Sequence, residues 1–453
     1  MRRLTTGSTA GFVLLAGLVA ALVDIAPAAA QPNKREVQVR GDIAKFKDDE
    51  SWVYNDWNKA VAEARRSGKP LMVIVRCVPC EACSEFDDQL VRRVDEVRDL
   101  MDQFVCVRII TTNGLDLDLF QFDYDQSFHA FLMNADGTIY GRFGTRSESK
   151  DETQDMTMQG FRRALSLALA WHREFPANKT SFAAKRGPKP PVAHPEDYPS
   201  LKDTRRYTSE LDYEGNIVQS CIHCHQVREA ERAYYRNARR PIPENVVYPY
   251  PLPKVVGLTM NAEEAAEVKH VAPDSAARRA GFQVGDRIES LAGQPLLSIA
   301  DLQWVLHRAD RAAELKAVVR RNTEPVELTL RLESGWRAAS DLSWRATSWD
   351  LRRISFGGML LKELPPEERK SLGLADDVLA LRAEHVGQYG DHAKAKAAGF
   401  QKGDVLVEFD GSRARRSETD LLVANLTLRK PGDRIPVKVL RGGRESSMQM
   451  PVQ

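Results

Sequence analysis

One text occurs twice in the C-terminal half of the chain: SAARRAGFQVGDRIESLAGQPL from Ser275 to Leu296, and HAKAKAAGFQKGDVLVEFDGSR from His392 to Arg413. Each copy carries small residues on a short helix, then AGFQxGD, then a strand of alternating apolar residues and a turn glycine. Each is followed by a helix (IADLQWVLHRA, ETDLLVANLTL) and a strand with arginine at its end (ELKAVVRR, RIPVKVLRG). A repeat of this length means two copies of one folding unit, which must be accounted for before anything else. The units are expected over residues 251–335 and 353–453, joined by a tryptophan-containing connector over 336–352. Gly281 and Gly399 end the short helices where a positive φ is needed. Asp286 and Asp404 are expected to fix a turn rather than to bind a ligand.

With 453 residues the chain is too long for a single core. It opens with Arg2 and Arg3, the apolar run AGFVLLAGLVAALV and the small-residue stretch APAAA, the order of a cleavable secretory signal over residues 1–30. The run is short for a bilayer span, and no comparable stretch follows, so no membrane span is expected after cleavage. A periplasmic or secreted protein is the expectation. Loss of two arginines and one aspartate with the signal takes the net charge from +2 to +1. That balance argues against a nucleic-acid partner.

Residues 40–175 alternate helical and strand patterns. WVYNDWNKAVAEARRSG reads as a helix stopped by Gly68, LMVIV and FVCVRII as buried strands, and HAFLMN with TIYGRFG as a hairpin across the turn ADG. FRRALSLALAWHREF closes the unit as an amphipathic helix. The order predicts an α/β sandwich. Residues 176–200 are rich in Pro, Lys and Ala and predict a linker too polar to pack. A segment over 201–250 then carries CIHCH and a charged helix. The predicted fold class is therefore multidomain, a thioredoxin-like α/β sandwich followed by two β-rich, PDZ-like domains.

Five of the six cysteines lie in two short clusters, CVPCEAC and CIHCH, which points to chemistry rather than to staples. In a thioredoxin-type fold the redox pair sits where a central strand runs into a helix, so that amides and the helix dipole stabilise a thiolate. Counting from LMVIV, Cys80 takes the nucleophile's place and Cys83 that of the resolving thiol. Cys77 is an extra thiol upstream, and Arg76 is placed to lower a neighbouring thiol's pKa. A structural disulfide or a soft-metal site among the three is the alternative. The position that carries the cis-proline of a thioredoxin is Phe128 here. Cys106, inside FVCVRII, reads as an inert buried thiol.

CIHCH matches the attachment site of a c-type haem, with Cys221 and Cys224 as thioether ligands and His225 as the axial ligand. A second redox dithiol, or a zinc site using Cys221, Cys224 and one of His223 or His225, competes with that reading. No other cofactor and no dedicated metal site is expected. For the repeated units the expected chemistry is recognition: a peptide adds as a strand, and backbone amides of a glycine-containing loop hold its terminal carboxylate. Gly257 and Leu258 mark that loop in the first copy, Gly357 and Gly358 in the second.

Together RCVPCEACSEFD, NGLDLDLFQFDYD with MNADGTIYGRFGTR, SCIHCHQV and the two AGFQxGD units resemble a bacterial family that fuses a thioredoxin-like domain to PDZ domains, some members of which carry selenocysteine in the redox cluster. The resemblance implies redox or electron-transfer activity at Cys80 and Cys83, where this chain has only cysteine. The repeated units separately resemble the PDZ domains of periplasmic trypsin-like heat-shock proteases, although no Gly-Asn-Ser-Gly-Gly-like nucleophile segment occurs. The expected function is an exported thiol-disulfide or electron-transfer protein whose PDZ modules bind envelope proteins or peptide C-termini, with an unknown redox partner. A non-catalytic scaffold or sensor with structural or metal-binding cysteines is the alternative.

Overall fold

The computed structural model describes residues 33–453 except Glu81, Ala82 and Arg93. The expected signal over 1–30 lies outside the described residues. Among those described, no helix is long and apolar enough to cross a membrane.

The first sheet has the order β1 (Val53–Tyr54), β3 (Val105–Ile109), β2 (Leu71–Arg76), β4 (Phe128–Met133) and β5 (Ile139–Phe143). β1, β2 and β3 run parallel, β4 pairs antiparallel with β2, and β5 pairs antiparallel with β4. Every residue of β2 is buried, because both faces of the sheet are covered. Successive side chains alternate between those faces. Met72 and Ile74 join one core with Phe86, Leu90, Val97, Met101, Phe161 and Leu165, supplied by α3 (Ser84–Val91), α4 (Asp95–Met101) and α5 (Met158–Arg173). Leu71, Val73 and Val75 join the other core. α1 (Lys34–Phe46) precedes the sheet, and α2 (Trp57–Ser67) lies on the second face, capped by Asp56 and stopped at Gly68, whose φ is 69°.

Helix α2 is too short to cover the second face alone. The remainder comes from far along the chain: Tyr198, Leu201, Ile222, Cys224, Val227 and Ala230 complete that core. The last four belong to CIHCH and to α6 (Cys224–Asn237), so the segment over 201–250 is an outer layer of the first sheet rather than a separate region. The segment over 176–200 also packs, contrary to the expectation from its polarity. Phe182, Lys185, Pro195 and Tyr198 are buried on short single turns, and Lys185 forms an ion pair with Asp301 at 2.8 Å, both side chains being 1% exposed. A polar composition hid these contacts because four side chains suffice to anchor the stretch.

The second sheet has the order β11 (Glu324–Leu332), β10 (Ala313–Arg321), β8 (Arg287–Leu291), β7 (Glu267–Val271), β6 (Leu258–Asn261), with the short β9 (Gln294–Pro295) beside β8. The third runs β16 (Arg444–Pro451), β15 (Arg434–Arg441), β14 (Val405–Phe409), β13 (Leu381–Val386), β12 (Met359–Glu363). Apart from β9 the two sheets correspond strand for strand. Each has one long helix, α7 (Ile299–Arg308) in the first and α9 (Glu418–Leu428) in the second. α8 (Ser348–Phe356) packs on α9 and crosses the position at which the sequence divides connector from second unit.

The repeat has a physical cause. Asp286 accepts from the Gln283 amide at 2.9 Å and from Arg321 at 2.8 and 2.9 Å; Asp404 accepts from the Gln401 amide at 2.9 Å and from Arg441 at 2.6 and 2.7 Å. In both copies the arginine also donates to the carbonyl of the helix-ending glycine, Gly281 or Gly399, at 2.9 Å. The GD aspartate and the terminal arginine are thus two ends of one clamp. Asp286 is fully buried, so Asp286→Ala is expected to lower the stability of its unit by about 3 kcal/mol in a denaturant titration.

Candidate functional site

The thiol loop begins where β2 ends. Arg76, the last residue of that strand, is 3% exposed and uses its guanidinium as a bracket. It donates to the carbonyls of Cys77 at 2.7 Å, Ser127 at 3.0 Å and Cys80 at 2.9 Å, and to the Asp87 carboxylate at 3.1 Å. Asp87 also accepts from Arg108 at 2.8 and 2.9 Å, and Arg108 reaches Asp42 at 2.7 Å. Burial pushes the Asp87 carboxyl up, but Arg108 and then Arg76 outweigh it and hold it below the usual range. Arginines inside otherwise apolar strands, LMVIVR and FVCVRII, were the available signal for this network.

The bracketed turn closes through the Cys80 amide donating to the Cys77 carbonyl at 3.0 Å and brings their sulfurs to 2.9 Å. Cys77 is 5% exposed, whereas Cys80 is only partly buried. The Cys77 thiol hydrogen bond, resisted by burial and assisted by Arg76, Arg35 and Arg146, lowers the Cys80 pKa to about 7. The same contact, with burial, pushes Cys77 well up. Cys83 sits apart from both: it caps α3 at φ 61°, donates its amide to Glu152 at 2.9 Å and packs in the opposite core with Phe86 and Phe128. Burial raises its thiol. All six cysteines are thiols in this structure, and Cys106 is buried. Titrating Cys80 by alkylation rate is expected to give a midpoint near pH 7, reactivity rising with pH through it; a midpoint near an ordinary cysteine's about 8.5 would show that Cys77 does not donate to it.

Phe128 opens β4 and pairs with Arg76 across the sheet, and the Ser127 carbonyl receives the Cys77 amide at 2.9 Å. Among the described residues the cis peptide bond is Phe175–Pro176, remote from this loop.

CIHCH docks against the thiol loop. The Ile222 amide donates to Asn113 at 2.7 Å, its carbonyl accepts from the Thr112 hydroxyl at 2.8 Å, and Asn113 donates to the Ser220 carbonyl at 3.0 Å. His223 Nδ1 lies 3.3 Å from Cys77 Sγ, and its ring stacks on His225 at 5.6 Å. Burial, then His225, lowers the His223 pKa to about 4. Cys221 and Cys224 are 7% and 4% exposed. They share with Cys77 a gap that has no room for a water molecule. Among the described residues, no three His, Cys, Asp or Glu side chains converge to hold a metal ion.

In the first repeated unit, Gly257 has φ 92° and a Cβ there would meet Ser275 at 2.1 Å, so only glycine fits. Leu258 begins the edge strand β6, which borders a groove of about 450 Å³. Leu258, Met260 and Ile299 line one wall with Lys254 and Lys269; Thr145, Ser147, Glu148 and Asp155 of the thiol domain line the other. The segment around 145–155 continues into a second pocket of about 320 Å³ that reaches Cys83 and Trp344. In the second unit the same groove is filled. The outward amide of Leu361 on β12 donates to Glu418 at 2.8 Å, Glu418 is paired with Arg352 of α8 at 2.7 Å, and the Gly358 amide donates to the Arg352 carbonyl at 3.0 Å. Gly357 and Gly358 therefore sit in a closed loop.

A thioredoxin-like family profile matches residues 52–135, and a PDZ domain profile matches residues 267–321. The chain thus contains a thioredoxin-like domain and a PDZ domain. It is similar to a protein described as a probable periplasmic serine endoprotease DegP-like in Pseudomonas fluorescens, 27% identical over 182 residues covering 40% of this chain and 36% of the relative. It is also similar to the periplasmic pH-dependent serine endoprotease DegQ of Escherichia coli, 24% identical over 154 residues covering 34% of this chain and 30% of that one. The chain thus spans about a third of the length of these curated relatives. Among solved structures, the HtrA-type protease AlgW with tripeptide matches at 22% identity and a TM-score of 0.18, covering 28% of this chain and 39% of that one.

Proposed function

We propose that the chain is an exported, periplasmic thiol-disulfide protein whose first PDZ module seats partner peptides beside the thiols. The observation that carries this reading is the Cys77–Cys80 contact at the end of a central strand, with a partly exposed, acidified Cys80 backed by a buried, protonated Cys77. In thiol-disulfide exchange the thiolate attacks and the second thiol releases the product. Cys80 is the attacking sulfur here and Cys77 the resolving one. Cys83, which the sequence suggests as resolving thiol, lies across the sheet and is assigned a structural role.

The groove at β6 supports the binding half. A peptide added to that edge strand would have its carboxylate near Gly257, Leu258 and Lys254, and its far wall is the thiol domain itself. The second repeated unit is read as PDZ-like from its strand order, with the Gly358 amide of its loop held by the Arg352 carbonyl. The periplasmic descriptions of the relatives agree with the signal-like N-terminus. Residues 40–250 then form one thiol module, 251–335 and 353–453 two binding modules.

One observation favours a non-catalytic scaffold instead: Phe128 stands where a thioredoxin presents proline to its substrate. Reduction of insulin by dithiothreitol separates the two readings. A catalytic protein accelerates it and loses that activity in Cys80→Ser; equal rates with and without the protein would leave the scaffold reading.

A further inference from the structure

Cys77 and His223 are 146 residues apart in sequence, yet their side chains touch. CIHCH is fixed there by the Asn113 and Thr112 contacts to Ile222, so the approach is built into the fold. Cys77 meets Cys80 at 2.9 Å on one side and His223 at 3.3 Å on the other, and shares one gap with Cys221 and Cys224. Cys224 lies in the same apolar cluster as Cys77 and Cys80. It is also the first residue of a fourteen-residue helix, whose free amides favour a sulfur anion as it forms. The fold thus packs two thiols beside two thiols.

We propose that Cys221 and Cys224 are a second dithiol that exchanges with the Cys77–Cys80 pair, with Cys77 as the sulfur through which the two communicate. The proposal rests on the thiol-disulfide reading of the first pair. Starting from a Cys77–Cys80 disulfide, Cys224 gives up its proton as it attacks Cys77 Sγ; the Cys77–Cys224 bond forms and Cys80 departs as thiolate. Cys221 then attacks Cys224 Sγ; the Cys221–Cys224 bond forms and Cys77 departs. Two electrons pass from the second pair to the first. The protons leaving Cys221 and Cys224 go to Cys77, through His223 Nδ1, and to Cys80 or solvent according to pH.

The surroundings set the direction. Cys80 is the better leaving group, and a dithiol with a stabilised thiolate is the more oxidising partner. Cys221 and Cys224 are shut away from solvent while Cys80 is partly exposed, so the second pair's disulfide is the better protected of the two. The second pair therefore recharges the first.

The test uses the reduced full-length protein, equilibrated with one equivalent of oxidised glutathione, alkylated in acid and mapped by mass spectrometry. The expected disulfide is Cys221–Cys224 in most molecules. In Cys221→Ser it is Cys77–Cys224, and in the Cys221→Ser/Cys224→Ser double variant it is Cys77–Cys80. A wild-type disulfide that stays at Cys77–Cys80 overturns the proposal, as does a haem absorption band that Cys221→Ala abolishes after production in a haem-attaching host. Insulin reduction keeps the two readings apart. If Cys80 dependence holds while no disulfide reaches Cys221–Cys224, the relay fails alone; if Cys80→Ser reduces insulin like wild type, the thiol function fails with it.

Discussion

Cys80→Ser is expected to lower disulfide turnover by about two orders of magnitude or more, because it removes the one partly exposed, acidified sulfur of the loop. Cys77→Ser should fail differently. The attack still occurs, but nothing resolves the product, so the protein accumulates as a mixed disulfide with its substrate that mass spectrometry detects. Cys83→Ser discriminates between the pairing suggested by strand-to-helix spacing and the pairing seen in the fold. Cys83 packs with Phe86 and Phe128 on the far side of the sheet, so turnover should stay within a few-fold of wild type. Loss of turnover in that variant would restore Cys83 as the resolving thiol.

Arg345→Ala is expected to cost about 4 kcal/mol of unfolding free energy, since it strips a buried cation from two buried carboxylates. Arg345 pairs with Asp123 at 2.7 Å and Asp125 at 3.3 Å, and donates to the carbonyls of Pro249 at 2.7 Å and Tyr250 at 3.1 Å. One side chain thus ties the connector to the thiol domain and to the start of the first PDZ unit. Arg345→Lys should recover little, because a single ammonium cannot span four acceptors held in a plane by a guanidinium. Acid should act in the same direction. Burial raises the Asp125 carboxyl, but Arg345, Arg232 and Arg228 together hold it below the usual range. The Asp125 contribution is therefore complete above the unfolded carboxylate's pKa of about 4 and is lost as pH falls through the lower folded value, while burial raises Asp123 and works against it. Urea titrations at neutral and acid pH on both proteins check this; an unchanged wild-type midpoint in acid would contradict it.

Local pattern was legible. The apolar run LMVIV, the Gly68 stop, the ADG turn and the two AGFQxGD motifs each correspond to an element in its expected place. Long-range docking was not. Nothing in the periodicity of QVREAERAYYRNA says that Val227 and Ala230 lie on a sheet whose last strand, ending at Phe143, lies far upstream. The linker misled for a related reason: burial of Phe182 and Tyr198, and of the Lys185–Asp301 pair, depends on what stands opposite, not on mean composition. At the thiol loop, spacing located the right turn but not which sulfurs meet. That choice depends on the Arg76 bracket and on the left-handed backbone at Cys83, neither of which is a spacing.

The helix Cys224–Asn237, which seals the second face of the first sheet, has a consequence for how the molecule is made. The chain emerges N-terminus first, from synthesis and from export alike. Here the sheet and its loop of three cysteines emerge well before their cover, and the neighbours of Cys77 are incomplete until residue 237 has been added. A chain shortened at residue 175, where the first α/β pattern ends, would bare Val73, Val107 and Phe131 to water. The thiol loop therefore acquires its full surroundings only once roughly the first half of the chain is in place.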